Sequence, residues 1–275
     1  IDLHVHLREP GDVGAETILS GCRAAARGGF GTIVAMPNTK PAIDTPEMVK
    51  WVRQAAGRQD LVEVLPAGCL TRGRAGREVA DIAAMAAAGA AAFTDDGTTP
   101  GDDECMEEAM RRCAGARRPL MDHALDSARA GHGAMREGEI SRRLGLPGIP
   151  AGAETSAIER DIRLCRLTLC RTHIQHISTA GGVALIRARR DDGLPITVEA
   201  TPHHLALTDD DVRGDDANFK MNPPIGDASD RDAIVAGVLD GTISCLATDH
   251  APHTSTSKAL PFADAAFGII GLETA

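Results

Sequence analysis

The sequence predicts an α/β protein built as a (β/α)8 barrel of the TIM type, and three observations predict it. Eight short β-like runs alternate with longer, Ala-rich helical runs. Most of the β-like runs are apolar on both faces, as the strands of a buried parallel sheet must be. The length, 275 residues, suits one such barrel. An open doubly wound sheet is the alternative. No repeat, low-complexity tract or linker divides the chain, so residues 1–275 read as a single domain.

The elements follow in order. "LHVHL" (3–7) is the first strand candidate, and the Pro10-Gly11 pair breaks it. A helix over 15–27 is closed by Gly28-Gly29. "TIVAMP" (32–37) leads to Asp44-Thr45-Pro46, a cap and first-turn proline that open a helix over 46–57. "LVEVLPAG" (61–68) precedes a helix over 77–88, and "AAAFTD" (90–95) one over 103–114. "PLMDHA" (119–124) is followed by a polar stretch, 125–153, and a helix over 154–170. "THIQHIS" (172–178) leads to a helix over 181–191, "PITVEAT" (195–201) to a second polar stretch, 202–232, and "TISCLATD" (242–249) completes the eight. In a barrel both polar stretches are loops over the mouth at the strands' C-terminal ends.

Composition narrows the function. A net charge of −10 argues against a general nucleic-acid binder, which needs a basic patch. No apolar run is long enough to span a bilayer. The seven cysteines are odd in number and form no C-x-x-C, so they read as reduced thiols of a cytoplasmic protein. The chain opens without an initiator Met and inside a strand, which suggests trimming at both ends.

The polar residues point to chemistry. On a strand of period two, His4, His6 and Arg8 share a face; taken alone, this reads as a polar strand face without a ligand sooner than as a metal site. Yet His123, His176, His203, His204, His250 and His253 also fall at or just beyond strand ends, with Asp95, Asp96 and Asp249. A barrel gathers all those ends at one mouth. Imidazole and carboxylate suit zinc and similar divalent ions. Four histidines and two aspartates exceed one tetrahedral site and match a metal pair sharing a carboxylate. Such a pair holds a hydroxide and polarises a carbonyl, which is a hydrolase arrangement.

The stretches "DLHVHLREPG", "AMPNTKPAID", "FTDDG", "HIQHIST", "EATPHHL", "KMNPPI", "ATDHAPH" and "GLETA" occur in this order over almost the whole chain. With them the sequence resembles the bacterial type I dihydroorotases of the amidohydrolase superfamily. The resemblance implies that His4 and His6 bind a first metal, that Asp96 bridges to a second, and that His123 and His176 bind the second. Asp249 then touches the first metal and shuttles the proton of a metal-bound hydroxide. Arg8, Asn38, Asn222 and His253 correspond to substrate contacts. The implied cofactor is zinc, two ions per chain. The implied reaction is the reversible closure of N-carbamoyl-L-aspartate to L-dihydroorotate, in pyrimidine biosynthesis. A homodimer and an aspartate transcarbamoylase partner are further expectations from the family.

Related enzymes bridge their metals with a carbamylated lysine, but no lysine stands between Lys50 and Lys220, so Asp95 or Asp96 must serve. The family's spacing favours Asp96. Three departures stand out. Ile225-Gly226 follow "NPP" where the family has Leu-Arg, and Leu125 stands where an acid is usual. The small β-sandwich that family members carry beside the barrel is largely missing from this chain. The rival readings are another cyclic amidohydrolase of hydantoinase or allantoinase type, a silent scaffold for aspartate transcarbamoylase, and a zinc-storage protein.

Overall fold

Parallel pairing starts at the N-terminus, where β1 (Asp2–Val5) lies beside β2 (Thr32–Ala35) in the computed structural model, which describes residues 1–275. β3 (Glu63–Gly68), β4 (Ala92–Phe93), β5 (Leu120–Asp122), β8 (Thr172–Ile174), β9 (Ile196–Ala200) and β10 (Cys245–Leu246) extend the same parallel sheet in that order. Closure comes just beyond β10. Val5 and His250 form a parallel bridge, and His6 N donates to His250 O at 2.9 Å. The eight strands therefore form the expected (β/α)8 barrel.

Side-chain alternation builds two layers from each strand. In β2, Ile33 and Ala35 face outward and pack with Cys22 and Ala25 of α1 (Ile18–Arg27). Val34 and the following Met36 join Ala67, Ala92 and Met121 in a separate cluster, which plugs the barrel interior. The largest core cluster lies outside β3–β5, beneath α2 (Pro46–Gly57), α3 (Ile82–Ala88) and α4 (Asp103–Gly115). The helix starts obey local chemistry. Thr45 Oγ1 accepts from Met48 N with Pro46 in the first turn, and Thr17 and Ser20 cap each other's amides.

Several elements differ from the expectations. The helix expected over 77–88 begins only at Ile82, because Val79 bridges to Thr71 and Asp81 caps Ala84 N. The stretch 125–153 is not plain loop. It holds α5 (Ser127–Ala130), α6 (Glu139–Leu144), a parallel pair of strands β6 (Met135–Arg136) and β7 (Gly148–Ile149), and the start of α7 (Ala151–Thr168). After α8 (Ala180–Arg187) and β9 comes α9 (Pro202–Ala206). Then α10 (Ala228–Leu239) begins inside the second stretch expected to be loop. Its apolar residues do not line up on one face, so periodicity conceals it; Asp227, which caps Asp230 N, was the available signal. Beyond β10 a short α11 (Ser255–Lys258) leads to the C-terminal segment.

The strands also end early. His176 and Asp249 stand beyond β8 and β10 at φ +30° and +46°, and Arg8 follows β1 at φ +55°. Non-glycine residues rarely adopt this left-handed conformation, and it persists only where surroundings over-determine it. No helix is long and apolar enough to cross a membrane. All seven cysteines are unpaired and six are buried; burial pushes the Cys22 and Cys170 thiols up to about 11.

Candidate metal centre

The mouth of the barrel holds a buried cluster centred on His4. Its Nε2 lies 3.1 Å from Asp96 Oδ1 and 3.3 Å from Asp249 Oδ1. His6 Nε2 lies 3.0 Å from Asp249 Oδ1 and 3.4 Å from Asp96 Oδ2. The His176 ring is 5.1 Å from that of His4 and 4.5 Å from that of His123. Two sets of donors converge, His4–His6–Asp249 and His4–Asp96–His176, each with ligand atoms within 4.8 Å of one another. His123 belongs to neither set; it stands edge-on to His176 with Nε2 3.2 Å from Asn222 Nδ2.

These residues fit a divalent cation. Asp96 Oδ1 is buried and lacks a hydrogen bond, although His4 is close. An orphaned carboxylate oxygen is costly unless something positive completes it. The charges agree. Burial opposes protonation of His4, but Asp249, Asp96 and Glu199 outweigh it and hold its pKa well above the ordinary imidazole value. Burial would likewise raise the carboxyls of Asp96 and Asp249, yet chiefly His4 and His6 hold both well below the usual range. Three carboxylates thus crowd His4, and a proton on it is the stand-in for a cation. Burial, and then His123, push His176 down to about 3, leaving a neutral imidazole able to ligate.

The end of β4 separates two adjacent acids. Asp95 turns away from the cluster and accepts from Leu70 N at 2.9 Å, Thr71 N at 3.0 Å and the Thr71 hydroxyl. Asp96 turns inward. Arg74 fastens the turn by donating to the carbonyls of Asp95 and Asp96. Asn38 spans both donor sets: its Oδ1 accepts from His6 Nδ1 at 2.9 Å and its Nδ2 donates to Asp96 Oδ2 at 3.0 Å. That bond orients the His6 ring so that Nε2 faces the carboxylates of Asp249 and Asp96.

Arg8, Asn38, Asn222 and His253 line a cavity of about 210 Å³ directly over His6, Asp96, His176 and Asp249. Arg8 Nε donates to Pro252 O at 3.0 Å, and its Nη2 lies 3.2 Å from His253 Nε2. That histidine nitrogen donates to Phe267 O at 2.7 Å. All ten expected site residues therefore meet in one place.

Sequence reasoning missed Glu199. Its Oε1 accepts from His4 Nδ1 at 2.7 Å and from His176 N at 3.2 Å, while Oε2 accepts from His173 Nε2 at 3.0 Å. The available signal was a single charge inside the apolar run "PITVEAT". His250 points away from the cluster, to Glu16 and the Gly271 amide. His204 is bonded to Thr201 and to Pro223 O, while His203 Nε2 is buried without a partner. Leu125 packs with Ile149 and Ala153 in a small apolar cluster. A Cβ on Gly226 would meet Asp230 Oδ2 at 2.5 Å, so the departure from the family at this position suits the packing here.

Fold and site together define a class: parallel eight-stranded barrels whose C-terminal mouth carries a histidine–carboxylate cluster fit for metal. Residues 1–181 match the model of the Dihydro-orotase-like family, and the chain belongs to that family. It is 48% identical over its full length to the dihydroorotases of Staphylococcus epidermidis and of a Geobacillus strain. The chain spans 65% and 64% of those relatives' lengths. Among solved structures, the L-hydantoinase of Arthrobacter aurescens superposes with a TM-score of 0.83 at 24% identity, over 100% of this chain and 63% of its own. Dihydroorotase from Saccharomyces cerevisiae, in complex with 5-fluoroorotic acid, superposes with a TM-score of 0.78 at 18% identity, over 99% and 74%. Both show the same fold.

Proposed function

We propose that residues 1–275 form the metal-dependent hydrolase barrel of a dihydroorotase, interconverting N-carbamoyl-L-aspartate and L-dihydroorotate. The observation that carries this is the buried, unpartnered Asp96 Oδ1 among three imidazoles, beneath a cavity edged by Arg8. Names of relatives at 48% identity supply the substrate. A zinc pair is the fitting cofactor. His4, His6 and Asp249 would hold one ion, His123 and His176 the other, and Asp96 would lie between them. When bound, zinc lowers the pKa of water and polarises a carbonyl.

The chain's own residues do the rest. Asp249, kept as a carboxylate, accepts a proton from the attacking water and returns it to the ring nitrogen as that nitrogen leaves. Arg8 offers a planar fork to the substrate carboxylate, a match that lysine lacks. Asn222 and His253 border the same cavity and orient the substrate. Asn38 keeps His6 and Asp96 in register.

The test is hydrolysis of dihydroorotate by the purified chain, with metal content measured on the same sample and hydantoin as the competing substrate. Turnover of dihydroorotate that vanishes on chelation and returns with zinc is the expected result. Turnover of hydantoin alone would overturn the substrate. No bound metal and no turnover would overturn the site.

A further inference from the structure

The turn after β8 carries His176 at φ +30° and then runs through Ser178 and Thr179 into α8. Its backbone is held from three other elements. Glu154 of α7 accepts from Ser178 N at 2.9 Å, Ser178 Oγ at 2.5 Å and Thr179 N at 3.0 Å. Asp230 of α10 accepts from Ala180 N at 2.7 Å. Arg136 of β6 closes the remaining side: its Nη2 donates to Ser178 O at 3.2 Å and to Ser178 Oγ at 2.7 Å. Its Nε lies 3.5 Å from Asp230 Oδ2. All three charged side chains are buried.

The arrangement has a physical logic. Two carboxylates buried on α7 and α10 need a cation between them, because an unpaired buried charge is strongly destabilising. Arg136 is that cation, and its fork reaches the turn and Asp230 together, which an ammonium point charge cannot do. Gly226 leaves the Asp230 carboxylate its place, since a Cβ there would meet it at 2.5 Å. His176 sits two residues before the clamped Ser178, in a backbone conformation that must be enforced from outside.

We propose that Arg136 is a positioning residue of the metal centre: by clamping Ser178 against Glu154 while pairing with Asp230, which holds the Ala180 amide, it keeps His176 with its ring beside His4 and Asp96. This rests on the reading of His176 as a metal ligand. It also gives the excursion between β5 and α7 a role in the site, although Arg136 itself does not line the cavity over the cluster.

The experiment is a calorimetric zinc titration of the metal-stripped chain, with urea unfolding of each variant alongside. Arg136→Met should weaken one zinc equivalent about ten- to hundredfold and leave the other unchanged. Arg136→Lys, which keeps the charge, should recover part of the loss. A purely structural arginine would lower stability without singling out one ion. Both equivalents retained at wild-type affinity in Arg136→Met would therefore overturn the proposal. If Arg136→Met does not fold, Ser178→Ala decides: selective weakening of one zinc supports the clamp, and unchanged binding overturns it. A wild-type chain that takes up no zinc overturns the metal reading itself, and this inference with it.

Discussion

Glu199 orients His4, the histidine at the centre of the cluster, without facing the cavity. By accepting from His4 Nδ1 it holds that proton in place and leaves Nε2 to the cluster; by accepting from His176 N it ties two expected ligands to one carboxylate. His4 and His173 hold Glu199 itself ionised, its pKa well below the usual value despite burial. Glu199→Gln keeps the shape but removes the charge. It should weaken zinc about ten- to hundredfold with little change in secondary structure, as losses of such supporting partners do. Equal zinc affinity in the variant and the wild type would show that packing alone orients His4.

At the scale of elements, the end of β4 sets two neighbouring acids to different work. Asp95→Ala strands two buried amides and a hydroxyl, so it should cost about 1–3 kcal/mol in urea unfolding of the metal-free chain. Asp96→Ala leaves those three bonds of Asp95 intact, but it should abolish tight binding of a second zinc. The reverse pattern would exchange the two roles. Alternation along a strand foretold that only one of them reaches the cluster. Which one was legible only through the resemblance, because the partners of Asp95 stand 24 and 25 residues away on the β3 side. The eight strands could be read from their apolar runs, whereas α10 could not, because its apolar residues are spread around the helix even though the residues it buries, Asp230, Ile234 and Gly237, share one face. Nor did the sequence reveal that β8 and β10 stop before His176 and Asp249, which depends on turns held from outside.

For the whole molecule, burying neutral histidines makes stability depend on pH. Burial pushes His204 down to about 4, against roughly 6.5 when unfolded. The unfolded chain then binds the proton more readily, so this stability is fully present above about pH 6.5 and is lost as pH falls toward 4. His204 should contribute about 2 kcal/mol of the loss between pH 7 and pH 5 in the metal-free chain. His4 opposes it: its raised pKa contributes stability at low pH that fades as pH rises through the folded value. Urea unfolding of wild type and His204→Asn at the two pH values isolates the first term, and equal slopes would refute it.

The barrel and the metal-loving donor set were written in the sequence because both are local properties. Strand periodicity, turn residues, and histidines and aspartates at the ends of apolar runs need no distant partner to be seen. The supporting contacts needed the folded chain. Glu199 meets His4 across 195 positions, Arg136 meets Ser178 across 42, and Val5 closes the barrel on His250. Each is a pairing between distant elements, which leaves no period or spacing behind it, and burial in the closed barrel gives each one its strength.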